Sequence, residues 1–432
     1  MTIPIPFSLL PESSTVAGDG SLWIGGCAVL DLAEEFGTPL FVYDEGHLRN
    51  RCREAVEAFG DGVAYATKAF LCVAMARLAH EEGMHLDVAT GGEMHVALTA
   101  GVPPERLVLH GNNKSNEELR RAIELGIGRI VVDSFDEISR LEMLCSGVGY
   151  RGAPGAPIPV LLRITPGVEA HTHEFVRTGQ EDSKFGFGVP SGMAQQAVDR
   201  VAASAAFDLR GLHVHVGSQI FATESFTKAA EVVAGFAADH DFGELSMGGG
   251  LGVAYVVGEE APTISQWARA VRTACEGASI RSRILAEPGR SIAAAAAVTL
   301  YTVGTVKEIP GVRTYVSVDG GMSDNPRPVL YGSGYEAFLP RCVEAERPRV
   351  VDVVGKHCES GDFIVKGAAV PDDLHTGDIL CTPVTGAYGH SMGSNYNKIR
   401  RPAVVFVSDG RVRPVVRRET YDDLLVAENL DA

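Results

Sequence analysis

Lys68 stands in Tyr65-Ala66-Thr67-Lys68-Ala69, at the end of a short apolar run. A primary amine in that setting forms a Schiff base with a carbonyl compound when burial or neighbouring charge keeps part of it unprotonated. Taken alone, the residue is equally a long stem carrying its charge to water. Glu287 follows the apolar Ile284-Leu285-Ala286 and precedes Pro288. A carboxylate held against a pyridine nitrogen keeps that nitrogen protonated and makes the ring an electron sink. Gly248, Gly249 and Gly250 have no Cβ to keep backbone N–H groups from an anion, so they read as a phosphate cradle opening a helix. Arg290 adds a positive charge for the same anion or for a substrate carboxylate.

His213 and His215 lie two apart and share one face of a strand. A zinc pair, packed imidazoles and, for His215, a flat ring against an aromatic cofactor are all open to them. No third zinc ligand is evident, because His171 and His173 belong to a loop. Amine, phosphate cradle and pyridine partner together point to pyridoxal phosphate, with no metal.

These residues need a scaffold. The chain has 432 residues, more than one core usually supports, so two domains are expected. A formal net charge of −17 argues against a nucleic acid or an anionic membrane surface as partner. The eight cysteines form no C-x-x-C pair, which suggests reduced thiols in a cytoplasm. Residues 1–14 carry no basic stretch of a secretion signal, and the apolar run 292–306 is too short to span a membrane.

From residue 63, short apolar or β-branched runs alternate with segments of helical period. Strands are expected at 63–66, 85–89, 106–110, 129–133, 159–164, 209–216, 244–247 and 283–286, with helices over 70–82, 115–125 and 226–239 among those between. Eight such units fit a TIM-like (β/α)8 barrel over 46–292, with an open doubly wound sheet as the competing topology. Beyond residue 293, runs at 299–306, 314–318, 350–354, 363–366, 379–384 and 403–407 read as a C-terminal β-barrel or sandwich domain, completed by N-terminal strands from residues 1–45. A barrel keeps its chemistry at the C-terminal strand ends. There the sequence has Lys68, Thr90-Gly91-Gly92-Glu93, His110-Gly111-Asn112-Asn113-Lys114, His215 with Ser218, the glycine run, and Glu287 with Arg290.

With these motifs in view, the chain resembles the diaminopimelate decarboxylase family, within the fold-type III group of pyridoxal phosphate enzymes. The likeness runs from about residue 38 to 421. Its most specific parts are His110-Gly111-Asn112-Asn113-Lys114, the loop 179–186, Glu287-Pro288-Gly289-Arg290, Cys358-Glu359-Ser360-Gly361-Asp362 and Gly386-Ala387-Tyr388. The resemblance implies that Lys68 carries the cofactor, His215 stacks on its ring and Glu287 binds its nitrogen. Ser218, Gly249, Gly250 and Tyr388 surround the phosphate. It further implies decarboxylation of meso-diaminopimelate to L-lysine by a homodimer with shared active sites, Cys358 giving a proton in the partner's site. Arg290, Arg327, Tyr331 and Tyr388 would bind the substrate, the arginines at its distal carboxylate, and Glu359 its distal amine. Lys184 and Asp362 would pair across the dimer.

Without the resemblance, Cys358 reads as a small hydrophobe and Arg327, in Asn325-Pro326-Arg327-Pro328, as a solvated turn residue. Two positions depart from the family: Phe70 where asparagine is usual, and His390 where an aromatic is common. They keep open a decarboxylase of another carboxylated or carrier-linked amino acid. A catalytically inactive relative would lack Lys68, Glu287 or Cys358, and all three are present. An alanine racemase would pair the ring nitrogen with arginine, where this chain has Glu287.

Overall fold

The structure is a computed structural model that describes residues 4–153, 155–167, 183–215, 217–221, 224–237 and 240–429. It forms two compact units. One comprises residues 51–252 and 261–291, the other residues 1–50, 253–260 and 292–432.

The first unit is built on β1 (Ala64–Ala66), β2 (His85–Val88), β3 (Leu107–Leu109), β4 (Arg129–Val132), β5 (Ile158–Thr165), β6 (Phe207–Val214), β7 (Glu244–Ser246) and β8 (Arg283–Leu285). Each pairs in parallel with the next in chain order. The chain leaving β8 closes the cylinder: Ala64 N donates to Ala286 O at 2.9 Å and Ala66 N to Pro288 O at 3.1 Å. The open-sheet alternative is thereby excluded. Ala64, Val108, Val131 and Leu161 form a buried cluster contributed by four of the strands, the interdigitated filling a small barrel requires.

Local signals explain the helices. Helix Asn116–Leu125 begins at Ser115, whose Oγ accepts from Glu118 N while Glu118 answers with its own side chain, and ends at the left-handed Gly126. The helix expected over 70–82 runs instead over Val73–Glu81, because Thr67–Ala69 coil into a 3-10 turn and Cys72 supplies the cap. The glycine run after β7 does not open a helix. The next one, Ile264–Gly277, is capped by Thr263 and Gln266.

In the second unit, the wholly buried strand Leu40–Asp44 pairs antiparallel with Ala297–Ile309 and parallel with Ala403–Ser408. An N-terminal strand therefore occupies the interior of the C-terminal sheet. Arg411–Val416, not expected from the sequence, forms a hairpin edge on Ala403–Ser408. Its Pro414 is tolerated at an edge, where no ladder donor is needed. No helix among the described residues is long and apolar enough to cross a membrane.

Candidate active site

Lys68 sits mid-way along the 3-10 turn that follows β1. Thr67 Oγ1 donates to Asp87 O and Tyr65 Oη to Phe70 O, each at 2.8 Å, so the turn is fastened on both sides. The Lys68 side chain itself is exposed. Gly289 brings the chain after β8 against this turn: a Cβ on it would lie 2.9 Å from Ala66 O and 3.2 Å from Ala69 Cβ. The segment bearing Glu287 thus packs on the segment bearing Lys68.

Glu287 is buried among donors. Its Oε2 lies 2.9 Å from His213 Nε2, and Oε1 accepts from Ser246 Oγ at 2.8 Å. His110 Nε2 is 3.4 Å from Glu287 Oε1 and 3.6 Å from Asp87 Oδ1. Burial by itself raises a carboxyl pKa, but His213 and His110 outweigh it and hold Glu287 well below the usual carboxylate range. Burial pushes Asp87 up to about 6, with His110 opposing. For His110, burial is overcome by Asp87 and Glu287, and its pKa rises; burial lowers that of His213. His110 thus lies between two carboxylates, with His213 on the other side of Glu287. His215 accepts from Gly249 N through Nδ1 at 3.2 Å. Burial, then the Lys68 charge, holds it well below its ordinary pKa, so its hydrogen is on Nε2.

The glycines after β7 are forced by close backbone approach. A Cβ at Gly249 would lie 2.4 Å from Glu287 O, and one at Gly250, where φ is +108°, 2.3 Å from Gly217 O. Ile220 N donates to Gly250 O at 2.9 Å and Gly252 N to Ile220 O at 3.0 Å, which ties the half-buried Ser218 to the glycine run. Arg290, half-buried, opens the short helix Arg290–Ala293. From β5, Arg163 lies 4.2 Å over the Phe185 ring, and Asp133 Oδ1 accepts from Gly186 N at 2.5 Å. That fastens the described part of the 179–186 loop; its residues 179–182, like His171 and His173, lie outside the described residues.

The other candidate residues belong to the second unit. Arg327 is buried rather than solvated: Nη1 donates to Tyr335 Oη at 2.7 Å and the guanidinium lies 4.3 Å over the Tyr255 ring. Tyr331 ends the same helix, Arg327–Tyr331, half-buried. Cys358 and Glu359 are exposed. Asp362 is buried and accepts from Met322 N at 2.7 Å and His357 N at 2.9 Å, so the expected partner of Lys184 is engaged by backbone of its own unit. Tyr388 is half-buried in left-handed backbone at φ 62°. It follows Gly386, where a Cβ would lie 1.9 Å from Ala293 O.

Comparison with known proteins places this geometry. The model of the pyridoxal-dependent decarboxylase pyridoxal-binding domain matches residues 45–294. The diaminopimelate decarboxylase of Mycobacterium tuberculosis is 48% identical over 439 residues, covering 97% of either chain. The chain belongs to the diaminopimelate decarboxylase family. The Bacillus subtilis member of that family is 47% identical, with 94% of each chain covered. The solved structure of the M. jannaschii diaminopimelate decarboxylase in complex with L-lysine superposes with a TM-score of 0.89 at 31% identity, over 97% of this chain and 98% of that one.

A diaminopimelate decarboxylase barrel must accept a ring with a protonated nitrogen, an aldehyde and a phosphate, and the residues present fit that group. Glu287 is a buried, ionised acceptor, Lys68 is exposed, and the half-buried Ser218 is held beside the glycine run. The departures from the family pattern are absorbed by packing. Phe70 is wholly buried beneath the lysine turn, and His390 meets the Phe41 ring edge-on at 6.0 Å. Burial, followed by the Arg401 charge, lowers His390 to about 4, so it serves as a neutral ring. Sequence reasoning missed Asp87 and Ser246, and listed His110 as part of a motif without a role. It also found no third ligand beside His213, whereas His110 and Glu287 offer ligand atoms within 4.8 Å of one another and of His213. The one signal of Asp87 was an acid between the apolar Leu86 and Val88 of a buried strand.

Proposed function

We propose that the chain is a pyridoxal phosphate-dependent decarboxylase that converts meso-2,6-diaminopimelate to L-lysine and carbon dioxide. The observation that carries this reading is the buried, ionised Glu287 on the segment packed against the Lys68 turn. When bound, pyridoxal phosphate supplies the electron sink that accepts the electron pair left as carbon dioxide departs. The chain's own groups do the rest. Lys68 anchors the cofactor, Glu287 accepts from its ring nitrogen, and the neutral His215 lies against the ring. Ser218, Gly249, Gly250, Arg290 and Tyr388 hold the phosphate end.

Arg290, Arg327 and Tyr331, with Tyr388, bind the substrate, and its distal carboxylate suits a guanidinium fork. Glu359 takes the distal amine. The proton that replaces the carboxyl group on Cα comes from the Cys358 thiol, supplied in a cytoplasmic homodimer to the partner's site. In this reading residues 46–292 form the cofactor-binding domain and residues 293–432, with 1–45 packing on them, the β domain. Borohydride reduction of the cofactor-loaded protein tests the anchor: the pyridoxyl mass should appear on the peptide containing Lys68. Its appearance on another lysine, or on none, would sink the assignment.

A further inference from the structure

Glu359 is a surface side chain, and such glutamates ordinarily sample many rotamers. This one is held. Its carboxylate Oε1 accepts from Tyr396 Oη, the only side-chain hydrogen bond to it among the described residues. The hydrogen bond to Glu359 also raises the pKa of the Tyr396 hydroxyl, keeping it a donor. The Tyr396 ring is stacked on His357, centroids 5.4 Å apart and planes 18° off parallel. His357 is fixed in turn, with Nε2 2.9 Å from Ser323 Oγ and Nδ1 3.1 Å from Asn397 Oδ1.

The two segments that carry these side chains, residues 357–362 and 394–397, are themselves tied down. Ser394 N donates to Ser323 O at 2.9 Å, and Asn395 Nδ2 reaches Glu419 Oε2 at 2.5 Å and Ile399 O at 3.0 Å. Asn397, left-handed at φ 53°, accepts from Cys358 N at 3.4 Å through its Oδ1. Asp362 N donates to Glu359 O at 3.1 Å. The backbone on either side of Glu359 is thereby set, and Tyr396 sets where its carboxylate points. With Oε1 occupied by the hydroxyl, Oε2 is the oxygen left for an ammonium.

We infer that Tyr396 is a positioning residue that aims Glu359 and so sets the enzyme's demand for a second amino group on its substrate. The inference rests on the role proposed above for Glu359. It is tested with the cofactor-loaded enzyme, Tyr396→Phe and Glu359→Gln, each assayed with meso-diaminopimelate and with 2-aminopimelate, which has the same dicarboxylate chain without the distal amine. For 2-aminopimelate, KM is read, or a competitive inhibition constant where turnover is slow.

Tyr396→Phe keeps the ring that stacks on His357 and removes only the hydroxyl. It should raise KM for diaminopimelate roughly five- to tenfold, the range of a hydrogen bond to a charged group discounted for exposure. Its kcat and its constant for 2-aminopimelate should stay within about twofold of wild type, and its melting temperature should be unchanged. A variant that weakens both compounds equally would assign Tyr396 a structural role and overturn the inference. So would a silent Tyr396→Phe beside a Glu359→Gln that loses diaminopimelate selectively, and in that case the role of Glu359 survives. If Glu359→Gln is itself unselective, the role of Glu359 fails and this inference falls with it.

Discussion

At the scale of single residues, the barrel's polar centre works by opposing burial with paired charge. Glu287 would be raised by its surroundings were His213 and His110 not there, and Asp87, sharing His110, is the acid pushed up. A second buried acid behaves similarly in the other unit. Asp324 accepts from Tyr301 Oη at 2.7 Å and Gly321 N at 2.8 Å, yet burial pushes it up to about 7. An acid whose folded pKa exceeds its unfolded value binds its proton more tightly in the native state. The stabilising proton is fully present below the unfolded value of 3.8 and is lost as pH rises through about 7. The loss amounts to at most about 4 kcal/mol. Relative to wild type, Asp324→Asn should therefore gain melting temperature progressively as pH rises from about 4 to 7; a difference between the two proteins that does not change over that range would contradict the assignment.

Lys68 and Glu287 stood out in the sequence because each follows a short apolar stretch, and His215 because it lies two residues from His213; all three fall at strand ends, where a barrel holds its chemistry. The contacts of His110 with Asp87 and Glu287 were not, since they depend on how neighbouring strands curve round the cylinder. Arg327 reads as a turn residue for the same reason. Its burial depends on Tyr255, far away along the chain.

At the scale of elements, the eight strands were legible from their β-branched runs, within a residue or two at each end. The glycine run misled, because glycine serves both a helix start and a close backbone approach, and here only the second is built. Gly250→Ala tests it. The substitution strains a left-handed position and drives a Cβ into Gly217 O, displacing the loop that carries Ser218. It should cost about 2–3 kcal/mol of stability and weaken cofactor binding roughly tenfold, read by denaturant melts and by fluorescence titration of the apoprotein. Full cofactor affinity in the variant would show that the loop's seat does not matter.

At the scale of the whole molecule, the long stretch of sequence between Leu40–Asp44 and Ala297–Ile309, which pair in one sheet, hid the N-terminal strand's exact neighbours, though not its need for a later partner. The proposed homodimer carries its own prediction. Lys68→Ala and Cys358→Ala are each inactive alone, but mixed subunits form one intact site in each heterodimer. Co-refolded in equal amounts they should regain about a quarter of wild-type activity. Sites complete within one subunit would regain none.

The most direct test of the central claim is product analysis of the cofactor-loaded protein supplied with meso-diaminopimelate, beside lysine, ornithine, arginine and glutamate. The account predicts L-lysine and carbon dioxide in equal amounts from diaminopimelate, none from the other four, and none at all from Lys68→Ala. Cofactor bound at Lys68 with no lysine formed from diaminopimelate would contradict it.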